Sequence, residues 1–248
     1  MIDTALWRLR WNKLFWVLRQ PERRQLLLRR AAASLEHSEL LAGQTFATVI
    51  DVGANVGQFA LFALDQLEPT RVVCIEPQPT QLDYLATLGL ARGCAIEVIT
   101  AALGDHEGTE SLQITRATDS SSLLAPSKGA RETNHGLRVI STLEVPLLSG
   151  DSILLDYTIN HPVLLKIDVQ GTELSVLRGM RNFIRQVDAV LVEVSFSNLY
   201  NDQARPHEVV ELLVASGFVL EGIAHVPGGS CGWHLSQADL LFRRPDVG

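Results

Sequence analysis

The run Phe46-Ala47-Thr48-Val49-Ile50-Asp51-Val52-Gly53-Ala54-Asn55-Val56-Gly57 decides the fold. A short apolar, β-branched segment ends at a glycine loop, and Val56–Leu67 then continues with helical spacing. A buried strand that feeds a turn and then a helix is the opening of a parallel α/β sheet. Gly53 and Gly57 remove side chains where a ligand has to approach the backbone, and glycine accepts the positive φ such turns use. The free N–H groups at the start of the following helix face a ligand's anionic end. Spacing separates the cofactors. A dinucleotide loop reads G-x-G-x-x-G, but Ala54-Asn55 stand where the second glycine belongs. A pyrophosphate therefore loses its close approach, and NAD is the weaker choice.

Downstream, Arg71–Glu76 reads as a second strand, Pro79–Ala91 as a second helix and Ala95–Thr100 as a third strand. Glu76 ends its strand nineteen residues after Gly57, where a carboxylate can accept hydrogen bonds from both hydroxyls of a ribose. The plainer alternative is a solvated strand end. Between about residues 108 and 148 the pattern changes. Leu112–Thr115 and Val139–Leu148 look like strands around a Ser/Gly/Asn-rich stretch, Thr118–Gly136, which reads as an insertion or lid. The alternation then resumes with Val163–Asp168, a helix over Glu173–Phe183, Ala189–Val194, a helix over His207–Ala215, Phe218–Ile223 and Asp239–Phe242. The expected fold is α/β: a doubly wound, mostly parallel seven-stranded sheet with helices on both faces.

Composition narrows the function. The 248 residues carry a net charge of −7, but residues 1–43 hold eight Lys/Arg against four acids, so that segment is +4 and the rest is −11. An acidic body argues against nucleic acid as a partner. Residues 1–43 read as amphipathic and helical, broken near Pro21, with Trp7, Trp11, Phe15 and Leu18 on one face. This segment suits packing on the core, dimerisation, or peripheral contact with an anionic membrane. The chain is thus divided into an N-terminal helical segment, 1–43, and a main domain, 44–248. No apolar stretch approaches the roughly 20 residues of a transmembrane helix. Arg8, Arg10 and Lys13 interrupt any signal-peptide core. Three scattered cysteines, Cys74, Cys94 and Cys231, form no zinc or disulfide pattern and suit buried thiols in a reducing, cytoplasmic setting.

A second polar cluster, Lys166-Ile167-Asp168-Val169-Gln170-Gly171-Thr172-Glu173, follows an apolar strand. Charges there are costly unless paired or functional. Lys166 and Asp168 share one strand face, so they can pair, and Asp168 is the first choice for a general base or for orienting a substrate hydroxyl. Glu193, ending the next strand, can divide the work with it, one acid hydrogen-bonding substrate and the other taking a proton. The same pair can in principle hold a divalent metal, yet no His or third acid completes a set, and no metal is expected. Glu173 is placed to cap the helix after Gly171. Ser120, Ser121 and Ser122 are candidates to line an acceptor pocket, with a flexible linker as the alternative. The seven histidines form no catalytic arrangement. His207 is the one best placed to border substrate.

At this point the chain resembles the FkbM-type methyltransferases within the class I S-adenosylmethionine-dependent enzymes. The matching stretches are VIDVGANVGQFA (49–60), CIEPQPTQLDYL (74–85), ITAALGDHEGTESL (99–112), SSSLL (120–124), LLKIDVQGTELSVLRGM (164–180) and VDAVLVEVSFSNLY (187–200). The resemblance implies that Gly53, Asn55 and Gly57 line the methionine part of S-adenosylmethionine, with Asp51 bracing the loop or meeting the amino group. It implies Glu76 on the ribose, Ala102 to Asp105 bordering the adenine, and Asp105 accepting from its exocyclic amine. It further implies methylation of a hydroxyl on a small molecule, a sugar or a glycan. The rival readings are a non-catalytic binding subunit with the same fold and an NAD-linked oxidoreductase.

Overall fold

The computed structural model describes residues 11, 13, 33–78, 82–225, 230, 231 and 234–245. Most of the N-terminal segment, with the helical stripe expected there, lies outside the described residues.

The strands and helices follow in chain order. β1 (Thr48–Val52) leads to α1 (Gln58–Gln66), β2 (Arg71–Ile75), α2 (Asp83–Ala91) and β3 (Ala95–Ile99). Next come β4 (Ala102–Gly104), β5 (Gly108–Thr115), α3 (Lys128–Thr133), β6 (Val139–Ser149) and α4 (Gly150–Leu154). β7 (Val163–Ile167), α5 (Glu173–Arg178), β8 (Ala189–Ser195), α6 (Pro206–Ala215) and β9 (Val219–His225) follow. The short pair β10 (Ser230–Cys231) and β11 (His234–Leu235) precedes β12 (Gln237–Arg243).

Seven strands form one sheet in the order β3-β2-β1-β7-β8-β12-β9. All neighbours pair parallel except β12, which runs antiparallel to both β8 and β9. β1 proceeds outward to β2 on one side, while β7 proceeds to β8 on the other. The carboxyl ends of β1 and β7 therefore flank the point where the winding reverses, the place where such sheets open a crevice.

Side-chain alternation builds a core on each face. Ile50, Val52, Val73, Ile167 and Val192 pack with Val176, Leu177, Met180 and Phe183 on one side. Val49, Val72, Cys74, Leu164 and Leu191 meet Phe59 and Phe62 of α1 on the other. Period two puts Asp51 and Lys166 on this second face, where the pairing register sets them opposite each other. Ala33 and Leu41 join the same core, tying residues before the first strand to α1.

The insertion is ordered. β5 pairs antiparallel with β6, and β4 pairs parallel with β6, giving a small second sheet. The polar stretch expected as a lid or linker contains α3, which the sequence pattern did not indicate. α3 starts at the Ser127 cap and packs Ala130 on Tyr200, together with Leu137 of the 3-10 turn that follows it. The helix expected over Glu173–Phe183 is shorter. It ends at Arg178, and a separate 3-10 turn covers Phe183–Gln186. Among the described residues, no helix is long and apolar enough to cross a membrane.

Candidate active site

A cleft of about 450 Å³ opens at the carboxyl ends of β1, β2, β7 and β8. Its first wall is the turn after β1. Gly53 has φ +82°, and a Cβ there would lie 1.9 Å from the backbone oxygen of Asp168. Gly57 has φ +84°, and its Cβ would meet Leu85 at 2.7 Å. Neighbouring protein thus fills the space beside both glycines, and Gly57 does not line the cleft. The absent side chains let the turn nest against the β7 loop and α2. Gly53, Ala54 and Asn55 present their surface to the cleft.

Glu76 forms the second wall. It is buried, and its carboxylate accepts from the backbone amides of Asn55 (2.8 Å, Oε2) and Gln78 (2.9 Å, Oε1). Burial raises its proton affinity, and the two amide bonds pull it partly back, leaving it above the usual carboxylate value. Each oxygen keeps a second lone-pair direction for a ligand hydroxyl. Ile75, Ala101, Ala102 and Leu103 provide an apolar bed beside it. Asp105 is not part of the cleft: its exposed carboxylate turns to His106 at 2.9 Å, while its amide donates to Ser175.

The third wall is polar. Lys166 is buried, with its ammonium 3.5 Å from Asp51 and 3.3 Å from Asp168. Burial alone depresses the lysine, but the charges of Asp168 and Asp51 outweigh it and push it above its ordinary range. Asp51 lies wholly beneath the surface and braces the floor rather than lining the cleft. Its carboxyl is raised by burial, with Lys166 opposing. Among the described residues, no group of three His, Cys, Asp or Glu is arranged to hold a metal ion.

Gln170 links this wall together. Its φ of +59° places a non-glycine residue in the left-handed region, which costs about 1 kcal/mol or more. That turn brings its amide nitrogen to Asp168 Oδ1 at 2.7 Å and to Glu193 Oε1 at 3.0 Å. The Tyr200 hydroxyl lies 2.8 Å from the Ser120 carbonyl and 3.0 Å from Gln170 Oε1, sharing its one proton between them. Ser122 donates to the Gln170 carbonyl at 2.7 Å. Ser120, Ser121 and Ser122 all line the cleft, so the insertion contributes to it. Glu173 lies below, accepting from the Gly171 amide at 2.8 Å, and burial pushes it to about 7. It ties the loop before α5 to the start of the helix.

Four residues of the polar wall and its backing, among others in the cleft, were not singled out from sequence. Gln237 donates to Glu193 Oε1, and Asp239 stands opposite Glu193 in the β8–β12 register. His37 is buried with Nδ1 3.3 Å from Asp239, edge-on to Phe59 and Phe62. Gln170 is the fourth. A charge inside the apolar strand 237–243 was a readable signal for Asp239, but its neighbour follows only from the antiparallel return of β12. His207 is exposed on α6 and outside the cleft.

The sheet order, its single reversed strand and a cleft at the winding switch define a class I, Rossmann-like methyltransferase fold, the class that uses S-adenosylmethionine. The sequence matches the methyltransferase FkbM domain over residues 51–220, and the chain belongs to that family. It is 26% identical over 144 residues to the hexuronic acid methyltransferase AglP of Haloferax volcanii, spanning 58% of this chain and 54% of that protein. The chain thus covers about half the length of the curated relative it matches. Solved structures align more loosely. A precorrin-6y C5,15-methyltransferase from Geobacter metallireducens gives a TM-score of 0.46 at 12% identity, covering 86% of each chain. The magnesium protoporphyrin IX methyltransferase of Synechocystis PCC 6803 also gives 0.46, at 10% identity, covering 85% of this chain and 81% of that one.

The donor set of the cleft fits S-adenosylmethionine. Glu76 offers acceptors to vicinal hydroxyls, the Ile75–Leu103 bed offers contact to a purine, and the acids beyond Gly53 favour a cation at the far end.

Proposed function

We propose that this chain transfers a methyl group from S-adenosylmethionine to a hydroxyl of a sugar, a glycan or a similar small acceptor. The observation that carries the reading is one cleft with two chemically different ends. Glu76 and the apolar bed sit at one end, and the Lys166–Asp168–Gln170–Glu193 network with the serine segment sits at the other. Gly53, Ala54 and Asn55 border the methionine part, with Ala102 beside the adenine. The likeness to the Haloferax hexuronic acid methyltransferase supports a sugar acceptor.

The methyl donor, when bound, supplies an activated methyl with a good leaving group. The protein has to align the accepting oxygen and manage its proton. Asp168, fixed by Lys166 and Gln170, orients the hydroxyl. Both lysines among the described lining residues are engaged, Lys13 by Glu36 and Lys166 by Asp51 and Asp168. An uncharged hydroxyl suits such a site better than an acceptor carboxylate.

The test is methyl transfer from labelled S-adenosylmethionine to a panel of hydroxylated glycans and their uronic acid counterparts. Label on a hydroxyl is the expected result. Label on a carboxylate alone overturns the acceptor class. The basic segment 1–43 supports a further element, peripheral contact with anionic membrane or self-association. Liposome flotation and sedimentation of the chain lacking residues 1–30 separate the two.

A further inference from the structure

The two cleft acids are held differently. Asp168 has both oxygens engaged, Oδ2 by Lys166 and Oδ1 by Gln170. Glu193 receives both its amide donors, Gln170 and Gln237, on the single oxygen Oε1. Its other oxygen, Oε2, has no protein donor among the described residues, and Glu193 lines the cleft.

We propose that Gln170 and Gln237 are positioning residues that clamp Glu193 through Oε1, so that Oε2 faces the acceptor and removes its proton. This rests on the methyl-transfer reading above and adds which acid acts and what aims it. In the step, the hydroxyl proton passes to Glu193 Oε2 and the oxygen's electron pair forms the bond to the methyl carbon. The carbon–sulfur pair stays on sulfur as a neutral thioether, and Glu193 later returns its proton to water. Asp168, paired with Lys166 and held by Gln170, orients the hydroxyl.

The surroundings of Glu193 agree. Burial raises its proton affinity well above the usual carboxylate value, and the charges of Asp168 from the β7 loop and Asp239 from β12 raise it further. Lys166 from β7 opposes this, Glu173 from α5 adds to it, and His37 stands behind Asp239. A base works best when its proton affinity lies near the working pH. The clamp is built independently on two elements. Gln170 is oriented by Tyr200 and by its left-handed backbone, whereas Gln237 reaches across from the reversed strand.

The test combines kinetics with a spectroscopic titration of the whole chain. Infrared difference spectra between high and low pH should show, beyond the signal of Glu173 and the other buried acids, a protonated-carboxyl band that is lost in Glu193→Gln and retained in Asp168→Asn. Because the amides stabilise the ionised form, Gln170→Leu and Gln237→Met should move that band's titration up by about one pH unit. The acid limb of kcat/KM should move by the same amount, with kcat about tenfold lower. S-adenosylhomocysteine affinity should stay within about threefold, which also certifies the fold. If Gln170→Leu fails to fold, Gln237→Met carries the test alone. A difference spectrum unchanged by Glu193→Gln, or clamp variants whose titration and acid limb match the parent protein, overturns the proposal. Absence of methyl transfer by the parent protein overturns the functional reading instead, and the infrared titration still reports on the clamp.

Discussion

The backbone amide of Asn55 donates to Glu76 Oε2 at 2.8 Å, so the glycine turn after β1 and the acid at the end of β2 act as one unit. The same carboxylate takes the Gln78 amide on its other oxygen. The group proposed to grip the ribose is thereby fixed before any ligand arrives.

Replacing that acid should cost binding in two grades. Glu76→Gln keeps one acceptor oxygen and should weaken S-adenosylhomocysteine binding about tenfold. Glu76→Ala, which strands two amides as well, should weaken it by about 100-fold or more. Calorimetric Kd values for the two variants check the grading, and equal losses would count against a direct contact.

At Gly53 a methyl group should be intolerable. Its Cβ would sit 1.9 Å from the Asp168 carbonyl oxygen, at a φ that L-residues avoid. Gly53→Ala should lose about 3 kcal/mol or more of stability in urea unfolding, because the contacted atom is backbone and has no rotamer to move. An unchanged midpoint would show that β1 and β7 are not locked together there.

Lys166 is expected to matter for folding before it matters for catalysis. Removing its charge leaves Asp51 buried with no counterion, so Lys166→Met should destabilise the chain by about 3 kcal/mol. Adding Asp51→Asn should recover part of that loss, since the stranded charge disappears. A double variant no more stable than Lys166→Met would contradict the pairing.

Stability should also depend on pH through Glu173. Its folded value, about 7, is raised above the ordinary 4.5, so folding favours its protonated form. The contribution is fully present below about 4.5 and is lost as pH rises through about 7. Glu173→Gln should flatten the stability profile across that window and exceed the parent protein by about 2 kcal/mol at pH 8. Parallel profiles for the two proteins would show that this acid is not the source.

Asp168→Asn should leave cofactor affinity within about threefold while lowering kcat by at least about tenfold, since Lys166 and the acceptor lose their charged partner. Unchanged turnover would remove Asp168 from the acceptor site.

Much of this was legible in the chain because local signals agreed with the global fold. The β1 run with its glycine loop, the acid closing β2 and the charged end of β7 each stand out against apolar surroundings. Their elements appear within a few residues of the expected bounds. What stayed hidden depends on long-range pairing. The role of Asp239 requires β12 to insert antiparallel between β8 and β9, and Gln170 reads as an ordinary loop residue until its left-handed φ turns its amide back. His37 carries no local mark, being buried by contact with Phe59, Phe62 and Asp239. Asp105 shows the converse: motif position pointed inward, but the turn after β4 aims the side chain at His106.

The most direct measurement is an equilibrium titration of the 248-residue chain with S-adenosylhomocysteine, run beside NAD. Saturable one-to-one heat with the nucleoside thioether and none with NAD is the predicted outcome. No heat with the thioether, or tight binding of the dinucleotide, would contradict the account.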